Sequence, residues 1–184
     1  MALRIEKTVQ VSGPIEKVWA FLNDPCKVAT CVPGAKITEQ VDEKTYKGTV
    51  SVKVGPAVSE YSGELQILRI DPENYEIELL GKGQDVRGRG SASMKMTGKL
   101  RVIDSGITEM TSASEVNFVG IVAQMGARVI TEVSNIMFGQ FTKNLQAKLQ
   151  QPEGALDAPG AEVKPVKATS VAWEAGKRLF RRES

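Results

Sequence analysis

Apolar residues at Leu3, Ile5, Val9 and Val11 alternate with Arg4, Glu6, Thr8 and Gln10, the period of a strand buried on one face. Ser12-Gly13-Pro14 ends the run, and Pro14 suits the first turn of a helix, where its missing N–H costs nothing. Ile15, Val18, Trp19 and Leu22 follow at helical spacing until Asn23-Asp24-Pro25. A second short helix is predicted from about Cys26 to Val32, closed by Pro33-Gly34. From Lys36 to Phe118 the pattern is strand and turn. Tyr46, Gly48, Val50, Val52 and Val54 share one face, and Gly55-Pro56 breaks the run. Leu65 and Ile67, then Tyr75, Ile77 and Leu79, predict two strands around Asp71-Pro72-Glu73-Asn74. Met94, Met96, Leu100 and Val102 line the next strand, and Met110, Ser112, Ser114, Val116 and Phe118 the last. Short turns between successive strands imply an antiparallel meander, apolar on one face only.

From Gly120 to about Leu149 apolar residues recur every three or four positions, through Val122, Met125, Val129, Val133, Ile136, Met137, Phe141 and Leu145. Read as one amphipathic helix of about eight turns, it needs an apolar partner, and the sheet face supplies it. The expected fold class is α+β: a curved antiparallel sheet gripping a long C-terminal helix. One domain is expected over residues 1–150. Residues 151–170 contain Pro152, Pro159 and Pro165 among Gly, Ala, Glu and Lys, and read as a flexible linker. Residues 171–184 read as a basic amphipathic helix.

The inward positions carry the first functional hint. The face formed by Tyr46, Val50 and Val52, by Leu65, Ile67 and Leu79, and by Ala92, Met94 and Met96 is apolar but unevenly filled. Met110, Ser112 and Ser114 continue it, and Val122, Met125, Val129 and Met137 face it from the helix. Gly48, Gly90, Ala92, Ser112 and Ser114 stand where a solid core would have Leu or Ile. Methionine adapts its shape to partial filling. Small residues and Met between a sheet and a helix point to an internal apolar ligand cavity; the competing reading is that the first two helices fill this space.

Composition narrows the chemistry. The chain has no His, two Cys, and 24 Lys+Arg against 22 Asp+Glu. Without imidazole there is no Ser-His or Cys-His pair, and Cys26 and Cys31 are too few for a zinc site or a disulfide scaffold. No catalytic residue, metal or catalytic cofactor is expected, and the thiols read as reduced. Balanced charge argues against a nucleic-acid partner. No run of 18 apolar residues exists, and the N-terminus lacks the apolar stretch of a signal peptide. The sequence therefore reads as cytoplasmic, with any membrane contact peripheral.

Lesser features have plain readings. Gly81 to Gly90 offers GxG spacing, but a strand follows where a phosphate loop needs a helix, so it reads as a glycine-rich turn or bulge. Lys82, Arg87 and Arg89 there are available to an anionic partner. Tyr46, Tyr61 and Tyr75 are ordinary strand residues that can also bond a ligand carbonyl, and Gln124 faces either ligand or solvent. In the tail, Trp173, Leu179 and Phe180 fall on one helical face and Lys177, Arg178, Arg181 and Arg182 largely on the other. Basic amphipathic helices with Trp and Phe lie in membrane interfaces; docking on a partner protein is the rival reading.

The chain resembles a known family in several dispersed motifs. Pro14-x-x-x-Val18-Trp19-x-x-Leu22-x-Asp24-Pro25, Cys31-x-Pro33-Gly34, Lys53-Val54-Gly55-Pro56 and Gly120-Ile-Val-Ala-Gln-Met-Gly-Ala-Arg128 are similar to the CoxG family, named for carbon monoxide dehydrogenase, of the START-like (SRPBCC) ligand-binding superfamily. The resemblance covers residues 1 to 149. It implies a non-catalytic partner of aerobic, molybdenum-containing CO dehydrogenase at the inner face of the cytoplasmic membrane. Joined to the cavity and the tail, it leads to the expectation of a carrier for an isoprenoid quinone, menaquinone or ubiquinone. An anchoring or assembly adaptor, or a carrier of another lipid, fits the same residues.

Overall fold

The computed structural model describes residues 1–54 and 57–152. Seven strands form one antiparallel sheet: β1 (Ala2–Ser12), β2 (Ala35–Gln40), β3 (Thr45–Val54), β4 (Ala57–Asp71), β5 (Glu76–Asp85), β6 (Gly90–Asp104) and β7 (Ile107–Gly120). Their order is β1-β7-β6-β5-β4-β3-β2. β2 to β7 make the meander predicted from the alternation, and β1 closes it by pairing with β7. β1 and β2 therefore sit on opposite edges, and the chain between them crosses the sheet as α1 (Ile15–Leu22) and α2 (Pro25–Ala29). Pro25 occupies the first turn of α2, and Asp24 caps it by accepting from the N–H groups of Cys26 at 3.0 Å and Lys27 at 3.3 Å.

The C-terminal helix is not continuous. α3 (Ile121–Gln124) stops at Met125, and α4 (Ala127–Leu149) starts after Gly126. Gly126 has φ +84°, outside the helical region, so an unbroken helix cannot pass through it. Apolar periodicity alone hides this break, because Met125 and Val129 keep the helical spacing across it. Tyr75, expected in a strand, instead takes φ 52° in the β4–β5 turn. Its ring packs edge-on against Trp19, with centroids 5.6 Å apart.

Cross-strand register defines an inner face. Val9, Met110 and Leu100 stand in one row; Ile5, Ser114, Met96, Leu79 and Ile67 in another; Leu3, Val116, Met94, Gly81, Leu65 and Tyr46 in a third. The core on this face is lopsided. At one end Val11, Ile15, Val18, Phe21, Cys31, Leu100, Met110, Leu145 and Leu149 pack as one buried cluster, which joins α1, the end of β1, the β6–β7 hairpin and the C-terminal part of α4. Burying each large aliphatic or aromatic group there contributes about 1.5–3 kcal/mol. A smaller cluster, Tyr46, Ile67 and Ile77, lies beside it, and Trp19 packs against both.

Candidate ligand-binding site

The other end of the inner face is left unfilled. Val50, Val52, Leu65, Leu79, Ala92, Met94, Met96, Ser112 and Ser114 all point to the helix side, yet each is only half-buried. Val122, Met125, Val129 and Met137, on α3, the joint and the front of α4, are half-buried too. Beside them the sheet bends. In the row Gly48, Gly63, Gly83 and Ala92, a Cβ on Gly63 would lie 2.0 Å from the Lys82 carbonyl oxygen. Only glycine fits there, so part of the floor carries no side chains.

At one place α4 closes tightly against β3. Between α4 and β3 lies a gap of about 10 Å³, lined by Pro33, Val52, Val133, Ile136 and Met137 among others. A small-molecule pocket needs roughly 300–1,000 Å³. That gap is a narrow crevice, and Leu79, Met94, Met96, Ser112, Ser114, Val122, Met125 and Val129, all half-buried, do not line it. Two larger hollows lie at the surface. One, of about 630 Å³, lies on the opposite face along the bend and is lined by polar groups such as Thr38, Lys47, Glu64, Lys82 and Gln84.

Three expected lining residues sit elsewhere. Met110 belongs to the large packed cluster, and Tyr46 and Ile67 to the smaller one. The Tyr46 hydroxyl accepts from Gln40 Nε2 at 3.2 Å, and Tyr46 borders a surface hollow with Asn23, Asp24 and Cys26 of the α1–α2 segment. Tyr46 closes the β2–β3 hairpin. Gln124 is exposed. The expected membrane-binding residues of the tail, Trp173, Lys177, Arg178, Leu179, Phe180, Arg181 and Arg182, lie outside the described residues, as does most of the 151–170 segment.

Apolar periodicity does not single out the polar groups of the inner face. Lys7 occupies an inward position opposite Ser112, and its ammonium donates to Asn135 Oδ1 on α4. The alternation of β1 places it among apolar neighbours, which is the signal that could have found it. Asp85, expected in a glycine-rich turn, ends β5 on the inner face with a fully buried side chain. Its carboxylate accepts from Arg87 N–H at 2.9 Å, Arg89 N–H at 3.4 Å, and Arg89 Nε and Nη2 at 3.1 and 3.0 Å. The Arg89 guanidinium holds the Asp85 carboxyl below the usual carboxylate range, against the opposing effect of burial. Arg89, expected to be available to an anion, is therefore engaged within the fold.

Among the described residues no group of three or more His, Cys, Asp or Glu side chains is placed to hold a metal ion. None of their helices is long and apolar enough to cross a membrane.

The family model for the G-type subunit of carbon monoxide dehydrogenase (CoxG) matches residues 8–150. A conserved protein from Geobacillus kaustophilus is 24% identical, with a TM-score of 0.73 over 80% of this chain and 95% of its own. The ZhuI aromatase/cyclase from Streptomyces sp. R1128 is 14% identical, with a TM-score of 0.60 over 88% and 100%. A START superfamily protein from Mycobacterium smegmatis is 12% identical, with a TM-score of 0.58 over 80% and 97%. At these identities the likeness is one of fold, and that fold hosts both binding proteins and enzymes. No curated protein sequence matches the chain.

Proposed function

The chain belongs to the CoxG family of carbon monoxide dehydrogenase, and we propose that it is a membrane-associating carrier of a lipophilic ligand, an isoprenoid quinone, between the bilayer and aerobic molybdenum CO dehydrogenase. The observation that carries this reading is the uneven inner face. One end is a packed core that holds the fold together. The other presents half-buried Met, Val and small residues along a glycine-floored bend. A fold that needed only to be stable would fill that end too.

The role is non-catalytic in this reading. Electrons from CO oxidation have to reach a quinone that water hardly dissolves, and a carrier raises its effective concentration at the enzyme. Loading between α4 and β3 requires α4 to lift there, since the crevice of about 10 Å³ cannot admit a quinone ring. The joint at Gly126 is suited to this: nothing lies within 4 Å of a Cβ placed there. The basic amphipathic tail, through Trp173, Leu179, Phe180 and its Lys and Arg residues, would hold the carrier at an anionic cytoplasmic membrane face, each cation adding about 1 kcal/mol.

The narrowness of the crevice favours a second reading, an adaptor that attaches the enzyme to the membrane and carries nothing. Organic extraction of the purified chain followed by mass spectrometry separates the two. The carrier reading expects a prenylated quinone in near-stoichiometric amount, reduced in Ala92→Trp. An extract free of lipophilic molecules, from protein purified out of quinone-replete membranes, favours the adaptor.

A further inference from the structure

Among the described residues, two buried side-chain polar atoms lack a hydrogen-bond partner: Asn23 Oδ1 and the Tyr61 hydroxyl. Asn23 borders a surface hollow. Tyr61 is different, because its whole residue is only 8% exposed and it stands on the inner face. Its cross-strand partners are Val50 on β3 and Asp85 on β5. Gly83, in the floor row beside it, would place a Cβ 3.5 Å from the Tyr61 Cβ. The Asp85–Arg89 turn next to it also binds the start of α3, through Ile121 N–H to the Arg89 carbonyl at 3.0 Å.

A buried hydroxyl without a partner is unusual, since such groups are normally satisfied. The neighbouring Asp85 carboxylate does not take it up. Asp85 draws its donors from its own turn instead, three on Oδ1 and one on Oδ2, all from Arg87 and Arg89. Burial, and secondarily the Asp85 charge, push the Tyr61 phenol above its usual pKa. The group is therefore a neutral donor at physiological pH, beside the Asp85–Arg89 pair, and its hydroxyl has no protein partner.

We propose that the Tyr61 hydroxyl is the hydrogen-bond donor that fixes a carbonyl oxygen of the carried ligand, at the end of the inner face where the Asp85–Arg89 turn meets α3. This rests on the carrier reading and makes it specific: the ligand's polar end is a carbonyl, and Tyr61 sets its orientation. Val50 and the apolar residues beyond it take the hydrocarbon part.

The test compares two probes of similar length, decylubiquinone and decylbenzene, against wild type and Tyr61→Phe by quenching of tryptophan fluorescence. Wild type should bind decylubiquinone more tightly than decylbenzene. Tyr61→Phe should lose about tenfold in affinity for the quinone, the size of one hydrogen bond, and nothing for decylbenzene. The ligand-free variant should melt no lower than wild type, because the lost hydroxyl had no protein partner. Equal quinone affinity in the two proteins overturns this role for Tyr61 and leaves the carrier reading standing. A wild type that binds neither probe overturns both. A fall in ligand-free melting temperature with unchanged selectivity shows a structural hydroxyl and also overturns the proposal.

Discussion

The side-chain amide of Gln146 holds both backbone groups of Ser12: its Oε1 accepts from the Ser12 N–H at 2.7 Å, and its Nε2 donates to the Ser12 carbonyl at 3.0 Å. β1 is an edge strand, and here α4 supplies what a neighbouring strand would. Lys17 adds to the same junction by donating to the Leu149 carbonyl at the end of α4, at 2.6 Å, where a cation complements the helix dipole. The rear of α4 is thus fixed while its front faces the half-filled end of the sheet. Gln146→Leu should cost about 1–2 kcal/mol in urea unfolding, two hydrogen bonds' worth. Gln146→Glu should cost nearly as much, because a carboxylate cannot donate to the Ser12 carbonyl. Unchanged stability in both would mean that the clamp contributes nothing.

The Asp85–Arg89 pair gives a pH dependence with a definite sign. Arg89 lowers the folded-state pKa of Asp85 below its unfolded value, so the stabilisation is present above the unfolded pKa of about 3.9. It is lost as pH falls through the folded value. Asp85→Asn should therefore melt several degrees lower than wild type from pH 5 to 8, and the difference should shrink below about pH 4. A difference that stayed constant down to pH 2 would contradict this. Thermal melts of both proteins across that range decide it.

The two cysteines should behave independently. Cys26 is exposed and Cys31 is buried. Burial pushes the Cys31 thiol above its usual pKa, and thiolate is the reactive form. Iodoacetamide at pH 8 should label the native chain once, at Cys26, and twice only after denaturation. Peptide mapping reads this directly; rapid double labelling of the native chain would contradict it.

The tail should act apart from the fold. Deleting residues 153–184 removes none of the buried clusters, so the truncated chain should keep its melting temperature. It should lose most of its cosedimentation with anionic liposomes. Equal cosedimentation of the full and truncated chains would contradict the membrane role proposed for the tail.

Much of the fold is legible in the sequence because strand alternation writes the inner face directly: Met94, Met96, Ser112 and Ser114 stand where the period places them. The division of that face into a filled and an unfilled end is not legible. It depends on Val18 and Phe21 meeting Leu145 and Leu149 across more than a hundred residues, which no local pattern records. That is why Met110, Tyr46 and Ile67, indistinguishable by period from Met96 or Val50, sit in packed clusters. Tyr61 is hidden for a related reason. A strand tyrosine is ordinary until the carboxylate across from it, Asp85, is seen to draw its donors from Arg87 and Arg89 instead.

The central claim is transport through the unfilled end of the inner face. It is tested most directly by the rate at which CO dehydrogenase reduces quinone held in anionic vesicles, with CO as reductant. Wild-type chain should accelerate that reduction. Ala92→Trp, which fills the space beside the glycine floor while the packed cluster keeps the domain folded, should not, although it binds the same vesicles and leaves dye-linked CO oxidation unchanged. Equal acceleration by wild type and Ala92→Trp would contradict the carrier and leave an adaptor in its place.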